Sequence, residues 1–120
     1  MWLGTAAINL ALAVMLGAFG AHGLKQMASA QQLEWWHTAT QYFFWHALGL
    51  LMLGVLARTV PAFAVKIPFW LLQLGLIIFC GSLYLMALGL PRWLGAITPV
   101  GGVTMIIGWL TLAWMAFKQS

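Results

Sequence analysis

Acidic side chains are almost missing from this chain. Of 120 residues, one (Glu34) is acidic, and only 5% are charged at all. One chain therefore cannot supply a two-carboxylate hydrolytic site, and a carboxylate-bridged metal centre would need several chains to share it. Cysteine is scarce too: Cys80 stands alone inside an apolar run, which excludes an internal disulfide and every cysteine-based metal spacing. The five cations, Lys25, Arg58, Lys66, Arg92 and Lys118, are scattered. Nucleic-acid binding needs a clustered basic face, and none is present. What fills the chain instead is apolar: 64% of residues are hydrophobic, and the mean hydropathy is +0.99. Soluble domains carry about 25% charged residues. So little polar surface cannot cover a globule in water, and the lipid bilayer is the expected solvent.

A spanning helix needs about 20 mostly apolar residues. Four segments supply them: 2–21, 38–57, 69–88 and 99–117. Short connections between such segments predict an all-α fold, four transmembrane helices in an up-and-down antiparallel bundle forming a single domain over 1–120. The first segment resembles a secretory signal in its small residues. It has no Lys or Arg in residues 1–8, and three further spans follow it, so a retained helix is expected.

The helix ends carry local signals. Gly23 stands where a left-handed C-cap is expected. Ser29 to Gln32 reads as a capping box, which places the start of the second helix near Ala30. A helix from Ala30 to Ala57 spans roughly 42 Å, so its first turns should protrude into the headgroups. Trp35, Trp36 and Trp45 suit an aromatic interface belt there. Pro68 and Pro99 suit first helical turns, with Thr98 as N-cap of the last helix. Arg58, Lys66 and Lys118 fall on the side of the termini, Lys25 and Arg92 on the other. The positive-inside rule then predicts both termini cytoplasmic.

The faces of the helices are patterned. Thr5, Asn9, Ala13, Gly17 and Ala21 recur every fourth residue along the first span, and Gly101, Thr104, Gly108 and Thr111 form a similar stripe on the fourth. Small residues let helix backbones approach closely in lipid, so both stripes are expected to pack helices, within the chain or against another protomer. Asn9 must find a hydrogen-bond partner within protein. Gln73, Cys80, Gly81 and Tyr84 share a face of the third helix.

The second helix carries the most chemistry. Glu34 and His37 stand three apart, close enough to meet on the helix surface. Glu-x-x-His is also a di-iron spacing, but with no further acid the expected role of Glu34 is an interfacial partner for His37 or Lys25. His46 lies in the apolar half of the helix. An ionisable residue at that depth is a functional candidate; the structural alternative is a neutral imidazole bonded to Tyr42, Tyr84, Gln73 or a backbone carbonyl. His22, at a helix end, is also able to bond the last carbonyls.

Four stretches together carry a resemblance: "GAFGAHGLK" (17–25), "WHTATQYFFWHALGLL" (36–51), "FCGSLYLMAL" (79–88) and "GAITPVGGVTMIIGW" (95–109). In order and one per helix, they resemble a family of small bacterial inner-membrane proteins of unknown function typified by YgdD and YwdK. Cys80 departs from it, since the family more often shows serine there. The resemblance implies an integral membrane protein and brings no substrate, cofactor or catalytic residue. It places His22, Tyr42, His46, Gly81, Ser82, Tyr84, Thr98, Pro99, Gly101 and Gly102 in motif positions. An antiparallel bundle is able to bring His22, Tyr42, His46, Gln73, Ser82 and Tyr84 into one polar cluster toward one membrane face.

Three functions compete. The first is a non-enzymatic accessory or membrane-organising protein, acting by helix packing as a homo-oligomer or as a subunit of a larger membrane complex. The second is a small oligomeric transporter or channel lined by His22, Tyr42, His46 and Tyr84, although no inverted repeat is visible. The third is a haem or quinone site on His22 or His46. The first is the expectation taken forward, with no catalytic residue, no metal and no cofactor.

Overall fold

A computed structural model describes residues 1–119 of the chain. It contains four long helices: α1 (Trp2–Ala21), α2 (Ala30–Thr59), α3 (Lys66–Ala87) and α4 (Thr98–Gln119). Short 3-10 turns at Leu24–Gln26 and Arg92–Ala96 lie in the α1–α2 and α3–α4 connections. Each of the four is long and apolar enough to cross a membrane, and no strand occurs among the described residues.

Local chemistry sets the ends. Ser29 accepts from the Gln32 amide at 3.1 Å, and the Gln32 side chain accepts from the Ser29 amide at 2.8 Å, completing the capping box that starts α2. Pro68 lies in the first turn of α3, where its missing N–H costs nothing. Thr98 does not cap α4 as expected. It is already helical, and its hydroxyl turns back to the Leu94 carbonyl and to Ser82 on α3. Gly23 is not left-handed either: its φ is −64°. The chain runs straight from α1 into the 3-10 turn, so no reversal is needed there. The left-handed glycine is Gly89, φ 97°, in the turn after α3.

The four helices do not close into a square. α1 packs on α2, α2 on α3 and α3 on α4, and the molecule measures 50 × 26 × 19 Å. α3 is central: 56% of its most apolar window is buried, against 22%, 28% and 17% for α1, α2 and α4. α1 and α4 form opposite edges. Two close approaches explain why these pairs form. Along α1 and α2, Gly20 lies against the Trp36 indole, leaving no room for a β-carbon. Along α3 and α4, a β-carbon on Gly75 would stand 2.8 Å from the Gly101 carbonyl oxygen. Gly101 in turn abuts the Phe79 backbone. Hydrocarbon offers no hydrophobic drive between helices, so packing of this closeness is what holds them together.

Candidate functional site

The candidate polar residues do not form one cluster: Gln73 and Tyr84 line one groove, while Tyr42 and His46 line another. Asn9 and Gln73 form a reciprocal amide pair between α1 and α3. The Asn9 Nδ2 donates to Gln73 Oε1 at 2.7 Å, and Gln73 Nε2 donates to Asn9 Oδ1 at 3.2 Å. The second Asn9 N–H goes to the Thr5 carbonyl at 2.9 Å. Both side chains are buried, at 6% exposure each. Every amide in hydrocarbon must find a partner inside protein, and these two satisfy each other across the helix pair.

A second chain of bonds runs from α3 through α2 to α1. The Thr40 hydroxyl donates to the Trp36 carbonyl at 2.9 Å, so the Tyr84 hydroxyl, 2.8 Å away, donates to Thr40. The Trp36 indole N–H donates to the Leu16 carbonyl at 2.7 Å. Trp36 is 2% exposed and stacks at a tilt on Tyr84, with ring centroids 4.3 Å apart. The interface position expected for Trp36 is thus corrected: its indole faces inward because Gly20 leaves space for it. Nearby, the Cys80 thiol donates to the Ala39 carbonyl at 3.2 Å. The thiol so engaged ties α3 to α2.

Ser82 bonds the Phe79 carbonyl at 2.9 Å and meets Thr98, tying α3 to the start of α4. His46 bonds across to α4. The Trp109 indole donates to its Nε2 at 3.0 Å, so that nitrogen is an acceptor and the ring is neutral. Its Nδ1 then donates to the Tyr42 carbonyl at 2.9 Å. Tyr42 stacks on the imidazole, centroids 6.0 Å apart. Both ring nitrogens are occupied, including the lone pair a haem iron would need.

His22 joins none of these. It is exposed, and its backbone N–H, not its ring, closes the last turn of α1. Glu34 and His37 are both exposed as well. Neither forms the expected ion pair among the described residues. Their spacing permits contact, but in the headgroup turns water and lipid compete for both. No group of three His, Cys, Asp or Glu residues stands close enough to hold a metal among the described residues. No buried side-chain nitrogen or oxygen lacks a hydrogen-bond partner there.

The expected packing stripes are used largely inside the chain, although Ala21 is exposed. Asn9 and Ala13 are buried on α1, and Gly17 meets the Thr40 methyl at 3.4 Å (from an ideal β-carbon). Gly101 and Gly108 face α3 in the same way, while Thr104 bonds its own helix at Val100. A different set of small residues stays uncovered. Gly4, Ala7, Ala11 and Ala18 lie on the outer face of α1. On another face of α1 a half-open groove of about 410 Å³ runs between α1 and α3, walled by Ile8, Leu12, Ile77 and Gly81. The Asn9–Gln73 pair and Tyr84 lie along it. Gly81 has nothing within 4 Å of where a β-carbon would be.

The family model for a protein of unknown function, DUF423, matches residues 16–102. The chain belongs to that family. The matched segment contains the Trp36–Thr40–Tyr84 chain of bonds and the Ser82–Thr98 contact, while Asn9 and Trp109 lie outside it. A UPF0382 membrane protein of Staphylococcus saprophyticus is 48% identical over 112 residues, covering 93% of this chain and 92% of the relative. One from Staphylococcus epidermidis is 47% identical over 93% of this chain and 91% of its own length. The UPF0382 membrane protein YwdK of Bacillus subtilis is 45% identical over 93% and 92%. No solved structure matches. This DUF423 member is therefore an all-α membrane protein with four spanning helices, in a family whose function is unknown.

Proposed function

We propose that this DUF423 protein catalyses no reaction and organises membranes by lateral helix packing, first of all with a second copy of itself. It resides in the bacterial inner membrane with both termini in the cytoplasm; three cations on the side of the termini, against two on the other, support that orientation. The observation that carries the reading is the uncovered groove between α1 and α3, walled by Ile8, Leu12, Ile77 and Gly81, on a helix whose other exposed face carries Gly4, Ala7 and Ala11. The small residues inside the chain are already spent on its own fold, so these are the ones left for a neighbour. A groove and a small-residue ridge on two faces of the same edge helix can complement each other about a two-fold axis, with α1 of each copy entering the groove of the other. A transport path has less support, because the polar side chains sit apart and are paired with one another.

Gly81→Leu tests this cleanly. It fills the groove where the monomer has open space, so the fold should remain. Wild-type protein labelled with donor and acceptor dyes should show energy transfer in liposomes that falls as lipid is added to dilute it. The variant should show only the background of random proximity. Equal transfer in both would contradict self-association through this face. A parallel pair of reporter fusions, one active only in the cytoplasm and one only outside it, tests the orientation at the C-terminus.

A further inference from the structure

At the membrane face opposite the termini lies a second cavity, of about 450 Å³, within the size range of ligand pockets. Its walls come from the start of α2 and the turn after α3: Ser29, Gln31, Gln32 and Trp35 on one side, Gly89 to Arg92 on the other, with Met86 between. The helices end here, which sets the pocket at headgroup depth.

Its chemistry is one-sided. Arg92 Nη2 donates to Gln31 Oε1 at 2.8 Å, and the guanidinium carbon sits 5.7 Å from the centroid of the Trp35 ring. These two neutral groups hold the cation in place without neutralising it. Glu34, the one acidic side chain, forms no ion pair with it among the described residues. The side-chain oxygens of the walls are also engaged: Ser29 Oγ and Gln32 Oε1 accept in the capping box, and Gln31 Oε1 accepts from Arg92. Among the side chains, what remains to face an occupant are donors: the Ser29 hydroxyl hydrogen, the amide N–H groups of Gln31 and Gln32, and the other N–H groups of Arg92. Leu90 is 44% exposed and Trp93 65%, giving the rim an apolar margin.

We propose that this pocket binds the phosphodiester of an anionic membrane phospholipid. Arg92 takes the charge, Ser29, Gln31 and Gln32 donate to the phosphate oxygens, and Met86 and Leu90 receive the glycerol and the first acyl carbons. A fixed guanidinium with several free N–H groups is the arrangement that phosphate geometry favours. A zwitterionic lipid brings its own cation close to Arg92 and binds less well.

The experiment titrates the detergent-solubilised full chain with phosphatidylglycerol or phosphatidylcholine and counts bound lipid by native mass spectrometry. Phosphatidylglycerol should be retained preferentially. Arg92→Gln should weaken it about tenfold, while Lys25→Gln, the same charge change on the same face, should leave it within about twofold. Gln31→Leu keeps the charge but frees Arg92, and should weaken binding several-fold. Millimolar inorganic phosphate should not displace the lipid. Equal binding by Arg92→Gln, or equal losses in Arg92→Gln and Lys25→Gln, would overturn the pocket. Displacement by inorganic phosphate would overturn the lipid as its ligand. Circular dichroism of each variant checks that its four helices are intact.

Discussion

α3 and α1 are both apolar spans rich in small residues, yet they use them in opposite ways. α3 is enclosed by its neighbours, and Gly75 is pressed against the backbone of α4. α1 buries Ala6, Asn9, Ala13 and Gly20 on one face and leaves Gly4, Ala7, Ala11 and Ala18 to the lipid on the other. The same residue type is a structural necessity where backbone meets backbone and an open surface where the chain's own helices leave it uncovered. A glycine's neighbour, more than its presence, tells what it does.

That contrast can be broken at several points. The largest effect is expected at Gly101→Leu, which drives a side chain into the Phe79 backbone. Overpacking against backbone cannot relax by a rotamer change, so α4 should separate from α3 at a cost of more than about 3 kcal/mol. Loss of a cooperative unfolding transition in detergent, or failure to accumulate in membranes, would register it. A smaller effect follows from Gln73→Leu, which leaves the buried Asn9 amide with one partner fewer. The cost should be about 1–2 kcal/mol in a detergent unfolding titration. Adding Asn9→Leu should recover part of it, since two apolar side chains leave no amide to satisfy. If the double variant is less stable than Gln73→Leu alone, the amide pair is not the contact that matters. The smallest effect on stability is expected at Gly81→Leu, within about 0.5 kcal/mol of wild type, because its side chain enters open space.

Much of the fold could be read along the chain. Four spans, the capping box at Ser29 and Gln32, and the proline starts depend on residues within a few positions of one another. The site was less legible, because its partners are distant in sequence. Nothing near Asn9 announces Gln73, 64 residues on, nor does His46 announce Trp109, 63 residues away. Trp36 shows the same limit in another form. An indole suits both a membrane interface and a buried contact. Only Gly20 on the facing helix, making room for it, decides between them. Gly23 was misleading for a different reason: a glycine at a helix end permits a left-handed turn without requiring one, and here the chain continues right-handed into the next 3-10 turn. On α1, period four identified one small-residue stripe; Gly4, Ala7, Ala11 and Ala18, spaced by three, four and seven, stand out only once the folded chain leaves them exposed.

The most direct measurement of the central claim is oxidative cross-linking of Ala11→Cys in native membranes. Cys80 is buried and does not interfere. If α1 enters the groove of a second copy, the two Ala11 positions lie near the two-fold axis, and a disulfide-linked dimer should form readily. It should disappear when Gly81→Leu is added. Val103→Cys, on the lipid-exposed face of α4, should not cross-link. A monomer at Ala11→Cys under conditions that link Val103→Cys would contradict the account.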